Sequence, residues 1–403
     1  MKWLTFKASG CKLPPRRCTM ALISTVSTRR RPKPLIRYFC YCMNILLLTY
    51  QGDIAGSTNS IYYLATGLAA KGHTVVVGAR QQSLLYQMLK QTRVIRVPMT
   101  FGGKFDVVNM RQIRDAVQKY QIQIINAQSS IDRYTAVFAR WLYQLPVKVV
   151  HTRRQEPKSM GGMLQTLFYV KGTDKIVVIS PQLKQTFIKK GYPEAHLQVI
   201  MNGIPPERFT NLQPNKTEAL RQQFGLQPGE VVIGCVARRK KQEQLLQALA
   251  LLNQPNITLL FAGIEPGSLN HIAQQLHLKN RLIYAGIVPA DEIMNYYPLF
   301  TLCVLPSTME GFGLTLTEAM GMGVPVIGTR SQGIIDVLDN EKNGLWFDDG
   351  NIEELAGKIQ QILTDETTRN RLIENGKMAA LSTFSINRTI DEYEHFFAAL
   401  LQN

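Results

Sequence analysis

Glu310 and Glu318 flank a glycine turn in the segment PSTMEGFGLTLTEAMGMGVPVIG, residues 306–328, and this spacing puts one carboxylate on a loop and the other on a helix. The apolar run Phe300–Leu305 reads as a buried strand that Pro306 and Ser307 stop; Leu314–Met322 then has helical spacing, and Pro325 introduces another strand. Amides near Phe312, Gly313 and Leu314 fall at the start of that helix, where unsatisfied N–H groups and partial positive charge suit a diphosphate or a polar sugar. Two acceptors beside such donors can grip a sugar nucleotide. An isolated glutamate on a helix is ordinarily a solvated surface residue. The pairing of two of them with Gly311-Phe312-Gly313 is what argues for a site.

The elements that must position this segment alternate along the chain. From Met43, the apolar run Asn44–Thr49 reads as a first strand, followed by strand candidates Thr74–Gly78, Ile122–Asn126, Val147–His151, Lys175–Ile179 and Gln198–Met201, with helical segments between them. Ser180-Pro181 has the form of an N-cap and first-turn proline for a helix running to about Lys190. The pattern repeats from Val231–Val236, and Asn387–Leu401 reads as an amphipathic helix. Such alternation predicts an α/β chain with parallel sheets covered by helices. We expect a leader at 1–42, a first domain at 43–213, a second at 214–385 and a closing helical segment at 386–403, with the change of domain near residues 203–216.

Composition limits the function classes. The 403 residues carry a formal net charge of +17, unevenly spread: ten basic and no acidic residues in 1–42, 21 basic against 8 acidic in 43–213, and 15 against 21 in 214–403. A basic first domain points to an anionic partner, whereas the second half lacks the charge and the aromatic-basic interleaving of a nucleic-acid binder, so none is expected. No apolar run has the length of a membrane span. Residues 1–42 hold four of the six cysteines and show no clean periodicity, which leaves two accounts, translated upstream sequence from a misassigned start or an Arg-rich targeting segment, of which we favour the first. Cys235 and Cys303 fall in buried strands and read as small core hydrophobes of a reducing compartment.

The 306–328 segment resembles the signature of retaining glycosyltransferase family 4, whose enzymes have the GT-B fold of two Rossmann-like domains facing a central cleft. The resemblance continues in order through Leu259-Leu260-Phe261-Ala262-Gly263, Arg281–Pro289 and Asn343-Gly344-Leu345-Trp346-Phe347, and Asn202–Phe209 resembles the family's inter-domain connection. It implies a hexosyl-type transfer from a nucleotide-sugar, itself a substrate, to a glycan or lipid-linked acceptor in polysaccharide or lipopolysaccharide assembly. It also implies that Glu310 contacts hydroxyls of the transferred sugar, that Glu318 bonds the ribose, and that Gly311, Phe312, Gly313 and Leu314 help hold the donor. Arg238 and Lys240, in the loop after Val236, stand where the family holds the donor diphosphate; the loop is shorter than usual, so Lys241 remains the alternative to Lys240. Ser331-Gln332-Gly333-Ile334 replaces the common double glycine, and Asp336 stands where Glu is usual.

With no Asp-x-Asp and no His/Cys cluster at ligand spacing, we expect neither a metal nor any other cofactor, and assign the leaving charge to lysine, arginine and helix amides. The glycine loop Gln51–Thr58 follows the first strand, and Gly56 is placed to approach the phosphates, though a glycine turn between strand and helix is common. At the acceptor side, Asn126–Asp132 includes Ser129 and Asp132 where many relatives carry histidines, and Arg153 and Arg154 are candidates for an anionic acceptor group, with solvated arginines the equal alternative.

Met163, Leu164, Leu167 and Phe168 share one helical face near Arg153, Arg154, Lys158 and Lys171. An ordinary packed helix fits that segment alone; joined to the basic domain, it points to a cytoplasmic protein bound peripherally to an anionic membrane surface. Other classes fare worse. A nicotinamide dehydrogenase would need Gly or Ala where Leu316 stands and an acidic residue where Gly328 and Thr329 fall. A catalytically silent GT-B subunit or scaffold is the remaining alternative.

Overall fold

The computed structural model describes residues 42–53, 56–155, 162–210, 212–308, 310 and 312–402. Runs of β-branched and aliphatic residues form two sheets, each parallel throughout. The first has strands β1 (Asn44–Thr49), β2 (Thr74–Ala79), β3 (Ile95–Pro98), β4 (Ile124–Ala127), β5 (Lys148–Arg153), β6 (Lys175–Val178) and β7 (Leu197–Val199), in spatial order 3-2-1-4-5-6-7. The second has β8 (Val231–Val236), β9 (Ile257–Ala262), β10 (Arg281–Tyr284), β11 (Leu302–Leu305), β12 (Val326–Thr329) and β13 (Leu345–Phe347), in order 10-9-8-11-12-13. Helices cover both, and the central strands are buried along nearly their whole length, as parallel sheets require. These are the two Rossmann-like domains of a GT-B fold.

Local chemistry sets the element ends. Ser180 caps the helix Pro181–Lys189 by accepting the Leu183 amide at 3.1 Å, with Pro181 in the first turn. Most strand expectations differ from the structure by a residue or two; β7 begins at Leu197, one residue earlier than the pattern placed it, and ends at Val199. Strand β3 lies outside every sequence expectation. It sits at the sheet edge with its residues only half-buried or exposed, so it lacks the apolar run that marks its neighbours.

Strand order reverses between β1 and β4 in one sheet and between β8 and β11 in the other. Loops leaving the carboxyl ends of these strands diverge, opening a crevice at each switch point. The four loops are those carrying Gly56, Ser129, Lys240 and Glu310.

The last helix, Ile386–Gln402, packs its apolar face against the helix Gly56–Ala70 of the first domain. Gly67 makes the close approach possible, since a Cβ there would stand 2.1 Å from Ile390 Cδ1. Glu394 accepts from Lys71 and lies 2.9 Å from His73 Nε2. Beside this helix, the chain at Ile204 bridges Ser385: the Ile204 amide donates to Phe384 O at 2.8 Å and the Ile386 amide to Ile204 O at 3.1 Å. A Cβ on Gly203 would meet the Ser385 backbone at 2.3 Å, so this position takes glycine alone.

Candidate active site

Glu310 leaves β11 on a loop whose base is fixed by Ser331 Oγ donating to Ser307 O at 2.8 Å. The helix Leu314–Gly321 starts from Gly313 at φ 60°, ψ 39°, a left-handed conformation open to glycine, and no side chain caps it. Phe312, expected at the donor, has its ring in the core edge-on to Phe384 at 5.6 Å, so only its backbone is left to face a ligand. Gly311 lies outside the described residues, as do Lys158 and the leader up to residue 41. Across the crevice, a Cβ on Gly56 would stand 3.1 Å from Leu314 Cδ1, which puts the glycine loop of the first domain directly against the helix start of the second.

The loop after β8 brings Lys240 Nζ onto Glu310 Oε1 in a partly exposed ion pair. Gln242, fully buried, shapes that loop by donating to Arg238 O at 2.8 Å and accepting the Lys240 amide at 2.6 Å. Lys241, in the left-handed region at φ 42°, turns away to pair with Asp349. Of the two lysines left open by the sequence, Lys240 thus faces Glu310, while Arg238 is exposed at the crevice rim. Cys235 and Cys303 lie beneath in the core, where burial pushes both thiols up, Cys303 to about 12.

Glu318 is buried and fully partnered: Tyr297 Oη donates to Oε2 at 2.8 Å and Arg208 Nη1 meets Oε1 at 2.7 Å. Burial raises its carboxyl above the ordinary value, the opposing pull of Arg208 and Tyr297 notwithstanding. Arg208 comes from the connector between the domains and is anchored by donating Nη2 to Ala290 O at 2.8 Å. Sequence reasoning gave Arg208 and Tyr297 no role. A cavity of about 1200 Å³ opens beside this pair, between the helix Gly56–Ala70, Arg208 and the loop Ile287–Asp291, away from Glu310. Asp336 reaches the first domain, accepting the Gln182 amide at 3.2 Å.

At the ends of β4 and β5 the expected acceptor residues fall in two groups. Ser129 caps the helix Ser130–Leu142, its hydroxyl 2.7 Å from Thr49 Oγ1. Asp132 is buried, with its carboxylate accepting the amides of Gln128 and Ser129 at 2.7 Å each and of Tyr50 at 3.3 Å, so its visible work is to close a capping box. Arg153, only 6% exposed, has its guanidinium over the rings of Phe187 (5.1 Å) and Tyr169 (5.7 Å). Arg154 follows at the strand's tip, half-buried. Among the described residues, no group of three or more His, Cys, Asp or Glu is gathered as a metal would require, and no helix is long and apolar enough to cross a membrane.

Comparison with known proteins gives a consistent picture across both domains. The family described as "Glycosyltransferase Family 4" matches residues 54–208, and that described as "Glycosyl transferases group 1" matches residues 216–379. The chain is 28% identical over 347 residues to an uncharacterised glycosyltransferase of Methanocaldococcus jannaschii, covering 80% of this chain and 88% of that one. It is 28% identical over 240 residues to the lipopolysaccharide core biosynthesis glycosyltransferase LpsE of Rhizobium meliloti, covering 60% and 68%. Its fold matches the Anabaena protein HepE, solved in complex with UDP, with a TM-score of 0.76 at 21% identity over 89% of this chain and all of that one.

Proposed function

The chain belongs to glycosyltransferase family 4 and is a GT-B glycosyltransferase, and from that premise we propose that it moves a sugar from a nucleotide-sugar donor to a glycan or lipid-linked acceptor in polysaccharide or lipopolysaccharide assembly, with retention at the anomeric carbon and without a divalent metal. The observation that carries the reading is the Lys240–Glu310 pair at the switch point of the second sheet, directly beside an uncapped helix start. The site offers a cation for the diphosphate, a carboxylate for sugar hydroxyls and free amide positions for the departing charge.

In this reading Lys240 and Arg238 neutralise the diphosphate as the glycosidic bond breaks, and the amides around Gly313 and Leu314 take part of the same charge. Donors fixed before the reaction need no reorganisation, which makes such contributions worth several kcal/mol when water is excluded. Glu310 orients the transferred sugar, and Glu318 accepts from the ribose once Arg208 or Tyr297 yields one oxygen. Gly56, Gly311 and Phe312 contribute backbone to the donor site, with Lys241 at its edge. Front-face attack, with the leaving phosphate oxygen accepting the acceptor's proton, requires no strong protein base. Ser129 and Asp132 form the floor of the acceptor side, and Arg153 and Arg154 its basic wall. We assign 43–213 to the acceptor and 214–385 to the donor, with 386–403 returning to the first domain.

A peripheral position on the cytoplasmic face of a membrane is part of the proposal. Phe105, Trp141, Met163 and Leu164 are 72%, 45%, 84% and 82% exposed on the basic domain. Ring contacts from Phe105 to Phe138, Phe138 to Trp141 and Trp141 to Phe168 (5.1, 6.2 and 5.5 Å) tie Phe105 and Trp141 to the helix that carries Met163 and Leu164. A packed helix would have hidden Met163 and Leu164.

Thermal unfolding with uridine, guanosine, adenosine and cytidine nucleotide sugars, in chelator, tests the donor reading. Saturation a hundredfold above Kd adds about 2.7 kcal/mol, a shift of several degrees. One nucleotide should shift wild type and fail on Glu318→Ala. No response from any nucleotide by folded protein would favour a catalytically silent GT-B subunit.

A further inference from the structure

Beyond the donor side lies a cluster of buried and half-buried positive charge that no described carboxylate pairs. Arg133 stands in the first turn of the helix Ser130–Leu142, Arg153 closes β5 and Arg154 follows it. None of the three forms an ion pair with a described carboxylate. Among the described residues, the Nε atoms of Arg133, Arg153 and Arg154, Nη1 of Arg154 and both amide atoms of Gln128 are closed off from solvent without a hydrogen-bond partner. Asp132, the carboxylate that faces Arg133 and Arg154, spends its oxygens on three backbone amides.

Natural interiors satisfy polar groups, and unpaired buried charge is costly, so a cluster of this kind is retained where a ligand completes it. Burial depresses the Arg133 guanidinium to about 10, and neighbouring Arg153 pushes it the same way. His151 is driven well below its ordinary value by burial, then by Arg133 and Arg153. Arg133 links the group, lying with Arg153 beside His151 and with Arg154 beside Asp132. Planar guanidinium forks match a carboxylate or phosphate two oxygens at a time, and the rings of Tyr169 and Phe187 hold the Arg153 fork in place.

We propose that Arg133, Arg153 and Arg154, with Gln128 and Asn126, form an oxyanion site distinct from the donor diphosphate side, and that the acceptor is accordingly an anionic molecule whose phosphate or carboxylate is seated there. This rests on the glycosyltransferase reading above and narrows it to one acceptor class.

The test is thermal unfolding of the full chain with inorganic phosphate at constant ionic strength, with and without saturating uridine diphosphate or whichever nucleotide shifts the protein, on wild type and Arg133→Gln. Expected are a shift of a few degrees with phosphate that adds to the nucleotide shift, and its loss in Arg133→Gln with the nucleotide shift intact. The anion-free variant should unfold no lower than wild type, because a repelled charge has been removed, whereas a purely structural arginine would cost stability. Three results overturn the site: no phosphate response in nucleotide-responsive protein, a phosphate response abolished by bound nucleotide, or an unchanged response in Arg133→Gln. Phosphate response without any nucleotide response, lost in the variant, would sink the donor reading and leave the arginine site standing. Should Arg133→Gln not fold, half-buried Arg154→Gln replaces it, with the same outcomes.

Discussion

Arg208 Nη1 lies 2.7 Å from Glu318 Oε1, so a residue of the connector holds a buried carboxylate of the helix Leu314–Gly321. Both side chains are largely buried, and removing one partner leaves the other uncompensated. Arg208→Met should therefore lose on the order of 3 kcal/mol at neutral pH, read as a lower urea midpoint. The sign with pH is fixed by Glu318, whose carboxyl is raised in the fold: below its unfolded value the acid is neutral in both states and no longer needs the guanidinium. Because the folded carboxyl takes up its proton above the unfolded value, the deficit should already shrink as pH falls towards about 4.5 and be small below it; a deficit constant with pH would mean that Arg208 acts through packing alone.

The Lys240–Glu310 pair is partly exposed, so its loss should spare the fold and strike activity. Lys240→Met is expected to lower kcat by about 10²- to 10³-fold, as the loss of one preorganised donor does elsewhere, with its Tm within a few degrees of wild type. Lys241→Met, which removes a partner of Asp349, should stay near wild type in rate. Equal losses in the two variants would show that the loop, and not the Lys240 charge, matters.

His151 is buried neutral, and His196 is also lowered by burial. A folded pKa below the unfolded one means stability is present above about pH 6.5 and lost as pH falls, by up to about 1.4 kcal/mol per pH unit for each histidine. Denaturation at pH 7.5, 6.5 and 5.5 should show that decline, and His151→Gln should remove roughly half of it. An unchanged slope in His151→Gln would place the decline elsewhere.

Leu164→Ser with Met163→Ser should weaken sedimentation with vesicles rich in anionic lipid, since each exposed side chain forfeits about 1.5 to 3 kcal/mol of burial. High salt should weaken binding by wild type as well, through the basic domain. Wild-type protein that ignores anionic vesicles at low salt would defeat the membrane proposal.

Much of this architecture is written locally. The 306–328 segment carries its own strand stop, left-handed glycine and helix start, and Ser180-Pro181 declares the start of its helix within two residues. What the sequence hides are partnerships between distant residues of common type. Arg208, Tyr297 and Gln242 look like ordinary surface, core and helix residues until folding brings each to a loop or carboxylate far along the chain. Arg133 sits on a helix where charge is usually solvated, and its isolation shows only when the neighbouring strand ends are in place. Edge strand β3 was missed for the reason that a half-exposed strand has no apolar signature.

The hydrogen-bonded bridge of Ile204 to Ser385 has a mechanical consequence. The chain passes between the two domains twice, and these passages run side by side with Gly203 wedged against Ser385. Two adjacent crossings act as one pin. Relative movement of the domains is thereby confined to swinging about a single axis, with sliding and twisting suppressed.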